Sequence, residues 1–260
     1  MLEIVPIPAF ADNYIWALLR DGHCVVVDPG DAVPVFAFLA AHHLTLDAIL
    51  ITHHHADHVG GVAALTARWS VPVYGPAAEN IKGVTDALRE NDQVALPNFV
   101  AEPFRVMEVP GHTSGHIAYV SDDILFCGDT LFAAGCGRLF EGTAQQLHTS
   151  LMRLAALPDT TRVFCTHEYT LSNLRFALAV DGDNNALVER SFVEQERRSR
   201  QVPTLPSSIA LERATNPFLR CAEPALMQSA RSYATAQPSD FSDPRNVFAV
   251  LRQWKNDYRG

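Results

Sequence analysis

The chain has 260 residues, with 20 Lys and Arg against 29 Asp and Glu and a formal charge of −9. That balance excludes broad, non-specific binding to nucleic acid or to an anionic membrane, both of which need a positive surface. Apolar residues make up 48% of the chain, beside 14 Gly and 16 Pro, which excludes disordered, collagen-like and coiled-coil chains as well.

The first residues, M-L-E-I-V-P-I-P, carry no basic segment ahead of an apolar core, so no signal peptide is expected. Apolar segments with strand character recur at 2–7, 14–19, 24–27, 48–51, 71–74, 104–109, 117–120, 124–126 and 163–165. D-G at 21–22, D-P-G at 28–30, P-G at 110–111 and C-G-D at 127–129 punctuate them as turns. Helical spacing marks 33–42, 59–69 and 144–157, with Thr143 as the cap of the last. The longest apolar run, 33–41, is about half the ~18–20 residues a membrane span needs. After Thr170 strand signals nearly vanish, and 173–179, 186–200, 209–213, 225–235 and 246–257 favour helix. The run V-P-T-L-P-S-S at 202–208 turns the chain back between them. The pattern predicts sheet layers covered by helices, followed by a helical unit. Cys24, Cys127, Cys136, Cys165 and Cys221 form an odd set without a C-x-x-C pair. They read as reduced core fillers in a cytoplasmic protein.

The densest chemistry lies at 50–61, L-I-T-H-H-H-A-D-H-V-G-G, where an apolar strand runs into four histidines and one aspartate. If the backbone stays extended, His53, His55 and Asp57 share one side and His54 points the other way. His58 then falls near the start of the helix at 59–69, and Gly60-Gly61 permits close backbone approach. Two plainer readings are a His-rich surface loop and a structural zinc clip. Structural zinc favours cysteine-rich closed shells, whereas these donors are imidazole and carboxylate. More donors follow the ends of other apolar segments: His112, Asp129 and His167.

These residues carry a resemblance. T-H-H-H-A-D-H at 52–58 has the form T-H-x-H-x-D-H of the metallo-β-lactamase superfamily. P-G-H-T-S-G-H at 110–116, C-G-D-T at 127–130 and T-H-E at 166–168 follow in that superfamily's order. Within it the chain resembles glyoxalase II, the hydroxyacylglutathione hydrolases. That likeness runs through A-D-N-Y at 11–14, G-C-G-R-L-F-E-G-T at 135–143, H-E-Y-T-L-S-N at 167–173, P-T-L-P-S at 203–207 and N-P-F-L-R at 216–220.

The resemblance implies an α+β fold: a four-layered αββα sandwich at 1–170, bearing the catalytic site, then a small C-terminal α-helical domain at 171–260 that binds substrate. It implies two divalent ions per chain, zinc first, with iron and manganese equally suited to these donors. His53, His55 and His112 would hold one, and Asp57, His58 and His167 the other. Asp129 and a solvent oxygen would bridge them, with Asp57 and Asp129 taking the catalytic roles. His54 and His116 belong to the motifs without ligating, and His116 is expected to orient a ligand. The substrate it implies is a glutathione thioester, S-D-lactoylglutathione, cleaved to glutathione and D-lactate in the second step of methylglyoxal detoxification. Arg138, Phe140, Tyr169, Arg252 and Lys255 would contact it, and Phe140 stands where some members carry Tyr. Arg252 and Lys255 are i, i+3 on the last helix and share a face. A monomer suffices. The rivals are another enzyme of the superfamily, a lactonase or a mononuclear iron persulfide dioxygenase, or a non-catalytic metal-binding module.

Overall fold

The computed structural model describes residues 2–234 and 240–259. A first sheet runs in the order β1 (Glu3–Ala9), β2 (Asn13–Arg20), β3 (His23–Val27), β4 (Thr45–Leu50), β5 (Val73–Pro76) and β6 (Asp86–Leu88). It is antiparallel from β1 to β3 and parallel from β3 to β6. Next in the chain come β7 (Gln93–Val94), β8 (Phe104–Glu108), β9 (Ile117–Ser121) and β10 (Ile124–Gly128). A hairpin of β11 (Leu131–Phe132) and β12 (Gly135–Cys136) precedes β13 (Arg162–Cys165) and β14 (Ser207–Ser208). The second sheet has the order β14-β13-β10-β9-β8-β7.

Side-chain alternation explains how the layers stack. Along β2, Tyr14, Trp16 and Leu18 enter the core between the sheets. Ile15 and Ala17 face the opposite way, into a cluster with Val35 and Leu39 of α1 (Ala32–Ala41) and Val62 and Leu65 of α3 (Val62–Arg68). Burial on both faces is why this strand reads as an unbroken apolar run. The Tyr119 hydroxyl bridges the sheets by donating to the Ile51 carbonyl at 2.8 Å. α4 (Ala144–Ala155) completes the four layers with Leu147, Leu151 and Leu154 on its buried face. Thr143 caps it through a reciprocal pair with Gln146.

The helix expected at 59–69 divides into α2 (Ala56–Val59) and α3. The cause is backbone contact: a Cβ on Gly60 would lie 2.5 Å from the Gly30 carbonyl oxygen, and one on Gly61 2.6 Å from that of Pro29. His58 therefore sits inside α2. The extended backbone ends at His55 (φ −59, ψ 145), the N-cap of α2, so Asp57, inside that helix, does not continue one side of a strand with His53 and His55. The sequence pattern does not announce strands β6, β7, β11, β12 and β14; at two or three residues they are too short to show a period.

The helical part comprises α5 (Thr170–Val180), α6 (Asn185–Ser199), α7 (Ile209–Thr215), α8 (Pro224–Tyr233) and α9 (Pro244–Asp257). The last residue of the helix expected at 225–235 lies outside the described residues. Several contacts join this part to the sandwich. β14 pairs with β13, and Glu212 of α7, fully buried, ties three segments together. Its Oε2 accepts from the Ala134 backbone at 2.8 Å, and its Oε1 from Arg190 at 2.6 Å and from Ser207. Removing one partner of such a pair strands a buried charge. Glu212→Ala is expected to lower unfolding stability by about 3–5 kcal/mol, measured as a shifted urea midpoint.

Candidate metal centre

The site assembles where strands end. β3 ends at Asp28, whose carboxylate accepts from the Thr52 backbone at 2.8 Å and the Thr52 hydroxyl at 2.7 Å. That holds the exit of β4 in place, and His53 follows fully buried. The turn at His55 brings its Nδ1 to 3.1 Å from His53 Nε2 and 3.0 Å from His112 Nε2. Asp57, His58 and His167 form a second group with ligand atoms mutually within 4.8 Å, as in the first. Asp129, after β10, lies between the groups. Its carboxylate is 3.5 Å from Nε2 of His58, 3.5 Å from that of His112 and 3.3 Å from that of His167. All seven residues expected as ligands thus converge, in the two groups the resemblance implied.

The donors fit divalent cations. Three imidazole nitrogens, of His53, His55 and His112, converge near 3 Å, where one shared proton cannot serve all of them and a cation can, and both His58 nitrogens and Asp129 Oδ1 are buried without a hydrogen-bond partner. Burial pushes His53 and His116 well below the usual imidazole range and lowers His55 and His112 as well, leaving them neutral and able to ligate. Burial acts the same way on His58 and His167, but carboxylates outweigh it. Asp129 and Asp28 raise His58, while Asp129 and Asp12 lift His167 to about 9. Burial resists ionisation of Asp129, yet His58 and His167 hold it far below the usual carboxylate range. A negative potential strong enough to retain a proton there is strong enough to attract a metal ion. With no thiolate in the set, the donors suit zinc, iron and manganese alike.

His54 points away, its Nε2 2.7 Å from Glu141 Oε1. His116 stacks on His53 at 4.6 Å, and its Nε2 accepts from the Asp129 backbone at 3.1 Å. It orients the segment that carries Asp129. All five expected substrate residues line one cavity of about 470 Å³ with the metal-facing side chains. Tyr169 lies flat on His167 at 4.6 Å, and Phe140 sets its edge against His55 and His112. Arg138 is exposed. Arg252 is 4% exposed and largely committed, donating to the Cys136 carbonyl at 2.9 Å. Lys255 Nζ donates to the Ser172 carbonyl at 2.9 Å, and burial together with Arg252 and Arg175 pushes its pKa down to about 8. Sequence reasoning gives no role to Asp12, Asn13, Asp28, Thr52 and Glu141. Asp12, Asn13, Thr52 and Glu141 fall within the quoted motifs, and Asp28 in the D-P-G turn, but the sequence does not show what their side chains touch.

Residues 12–167 match the metallo-beta-lactamase superfamily, and residues 168–258 match the hydroxyacylglutathione hydrolase C-terminus. The hydroxyacylglutathione hydrolase of Nitrosomonas europaea is 52% identical over 260 residues, covering 100% of this chain and 98% of its own. The chain belongs to the hydroxyacylglutathione hydrolase family. The Pseudomonas aeruginosa hydroxyacylglutathione hydrolase is 55% identical over 265 residues, covering 99% of this chain and 100% of its own. Among solved structures, ETHE1 from Myxococcus xanthus superposes with a TM-score of 0.62 at 27% identity, covering 84% of this chain and 83% of its own. A protein crystallised in a di-iron-bound form gives 0.59 at 26% identity, covering 83% and 100%. For this family member, Asp129→Ala is expected to weaken metal retention by more than the ~10–100-fold that loss of an outer partner costs. Metal content after gel filtration measures it.

Proposed function

We propose that this family member is a binuclear metal-dependent thioesterase, acting on S-(2-hydroxyacyl)glutathione and in particular on S-D-lactoylglutathione. The products are glutathione and D-lactate, the second step of methylglyoxal detoxification in the cytoplasm. The observation that carries this reading is one cavity lined both by the ion-binding cluster and by the cations Arg138, Arg252 and Lys255. Two ions per chain agree with the groups His53–His55–His112 and Asp57–His58–His167, which His53–His58–Asp129 links, and with a structural neighbour crystallised in a di-iron-bound form; zinc is the ion we put first. One chain supplies the whole cavity, so a monomer suffices. The division of labour is residues 1–170 for catalysis and residues 171–260 for substrate.

Bound divalent ions supply Lewis acidity toward the thioester carbonyl and a lowered pKa for water. The chain's residues do the rest. Arg138, Arg252 and Lys255 attract the carboxylates of the peptide, which an acidic protein must otherwise repel. Tyr169 offers its hydroxyl to the peptide backbone. Phe140 covers His55 and His112 with an apolar edge, keeping bulk water off that side of the reacting carbonyl. Asp57, with Oδ2 engaged by Asn13 at 3.0 Å, presents Oδ1 to take the proton of the attacking water. It passes that proton to the departing sulfur. A thiol with a pKa of about 8.5 leaves more readily than an amine, so no separate general acid is needed.

Metal-loaded protein is expected to turn over S-D-lactoylglutathione, read as free thiol released. No turnover above buffer across zinc, iron and manganese loading would overturn the assignment. A second expectation concerns pH. Lys255 is charged below about 8 and neutral above it, so its pull on an anionic substrate is complete at lower pH and lost as pH rises through that value. KM should climb across this range in the parent and stay flatter in Lys255→Arg, whose guanidinium does not titrate there. Steady-state kinetics at fixed ionic strength provide the check.

A further inference from the structure

The turn between β1 and β2 is stitched to the segment after β13. Tyr14 N donates to the Thr166 carbonyl at 2.6 Å, Glu168 N donates to that of Asp12 at 2.8 Å, and Asn13 and His167 form an isolated antiparallel bridge. Two successive side chains of this stitch reach two members of one ligand group. Asp12 Oδ1 lies 2.8 Å from His167 Nδ1, and Asn13 Nδ2 donates to Asp57 Oδ2 at 3.0 Å. The third member, His58, has Asp28 Oδ2 at 3.1 Å from its Nδ1. The other group is backed differently. His53 Nδ1 meets the Thr52 hydroxyl at 3.1 Å, and His112 Nδ1 donates to the Arg138 carbonyl at 2.8 Å. His167 is thus hydrogen-bonded directly to a carboxylate, whereas His53 and His112 meet a hydroxyl and a carbonyl.

We propose that Asp12 and Asn13 are positioning residues that make the Asp57–His58–His167 half the tighter of two unequal cation sites, so that loading and release are stepwise. This rests on the two-ion reading above. An acceptor at Nδ1 fixes the imidazole tautomer with Nε2 free to ligate, and a carboxylate makes that nitrogen more basic than a neutral acceptor does. Asn13 holds the Asp57 oxygen, Oδ2, that faces the group, 3.6 Å from His58 Nε2 and 3.5 Å from His167 Nε2. A folding role does not account for Asp12. Its side chain is 37% exposed on a turn, where an ion pair adds little to stability.

The test uses the full chain loaded with two equivalents of zinc, titrated with a chromophoric chelator. The parent is expected to release zinc in two steps. Asp12→Ala should weaken the tighter step by roughly 10–100-fold and leave the weaker one in place, with far-UV circular dichroism unchanged. Asp12→Asn, which keeps an acceptor oxygen without the charge, should fall between the two. Asn13→Ala should weaken the same step. Two ions released alike by the parent, or a tighter step that Asp12→Ala leaves untouched, would overturn the inference alone. A parent that takes up one zinc would instead overturn the two-ion reading on which it rests.

Discussion

A buried carboxylate facing three imidazoles governs this molecule. Asp129 is 6% exposed and sits 3.3–3.5 Å from His58, His112 and His167, with one oxygen lacking any hydrogen bond. A charge that deep survives only where opposite charge and fixed donors meet it. The surrounding elements are arranged to supply both. β3 and β4 end side by side because Asp28 holds Thr52, and that pairing delivers the histidine segment. β10 ends in C-G-D, with Gly128 at φ 47 turning Asp129 inward against His116. β13 runs parallel to β10, so His167 emerges on the same edge. Four strands from two sheets therefore discharge their polar ends at one rim of the sandwich.

The helical part adds the opposite demand, positive charge beside an apolar core. Phe176 of α5 and Phe218 stack with centroids 5.9 Å apart, and each carries a cation over its face. Arg252 lies 5.2 Å from the centroid of Phe218, and Lys255 5.4 Å from that of Phe176. Aromatic faces and backbone carbonyls stabilise partly desolvated cations without neutralising them. The N-P-F-L-R segment is built around this. Asn216 donates to the Phe132 and Gly135 carbonyls, Phe218 underlies Arg252, and Arg220 bonds Asp181 at the end of α5. The same residues that close the helical part onto the hairpin of β11 and β12 set the cationic end of the cavity.

Much of this architecture is legible in the amino-acid sequence. Strands of four or more residues declare themselves because burial on one or both faces leaves an apolar record, as in β2 and β10. The ligands are legible as chemistry: imidazole and carboxylate at successive strand ends have few other uses. Less is legible where function depends on contact between distant segments. Asp12 is 155 positions from His167, and nothing in A-D-N-Y shows what its side chains touch. The extended-strand reading of residues 53–57 fails because helix α2 begins at Ala56, with Gly30 and Gly60 meeting backbone to backbone. Arg252 reads as a free charge on a helix face, yet its guanidinium is buried against Cys136 and Gly137. Periodicity reports which face is apolar and is silent on which cation is already engaged.

The formal charge of −9 looks at odds with an anionic substrate until its distribution is followed. Within the cavity, Asp57 and Asp129 face the cluster, where bound divalent ions would more than cancel them. Arg138, Arg252 and Lys255 line the same cavity, with no further carboxylate among its described lining residues. An anion entering the cavity therefore meets the metal-binding cluster and three cations, while the acidic exterior repels nucleic acid and anionic surfaces within the ~8 Å screening length. Lys255 sharpens this: held near Arg252 and Arg175 and partly desolvated, it pays for its position in proton affinity. An arriving carboxylate relieves the repulsion among these cations. The strain that lowers its pKa in the free protein thus becomes attraction for the ligand that restores the charge.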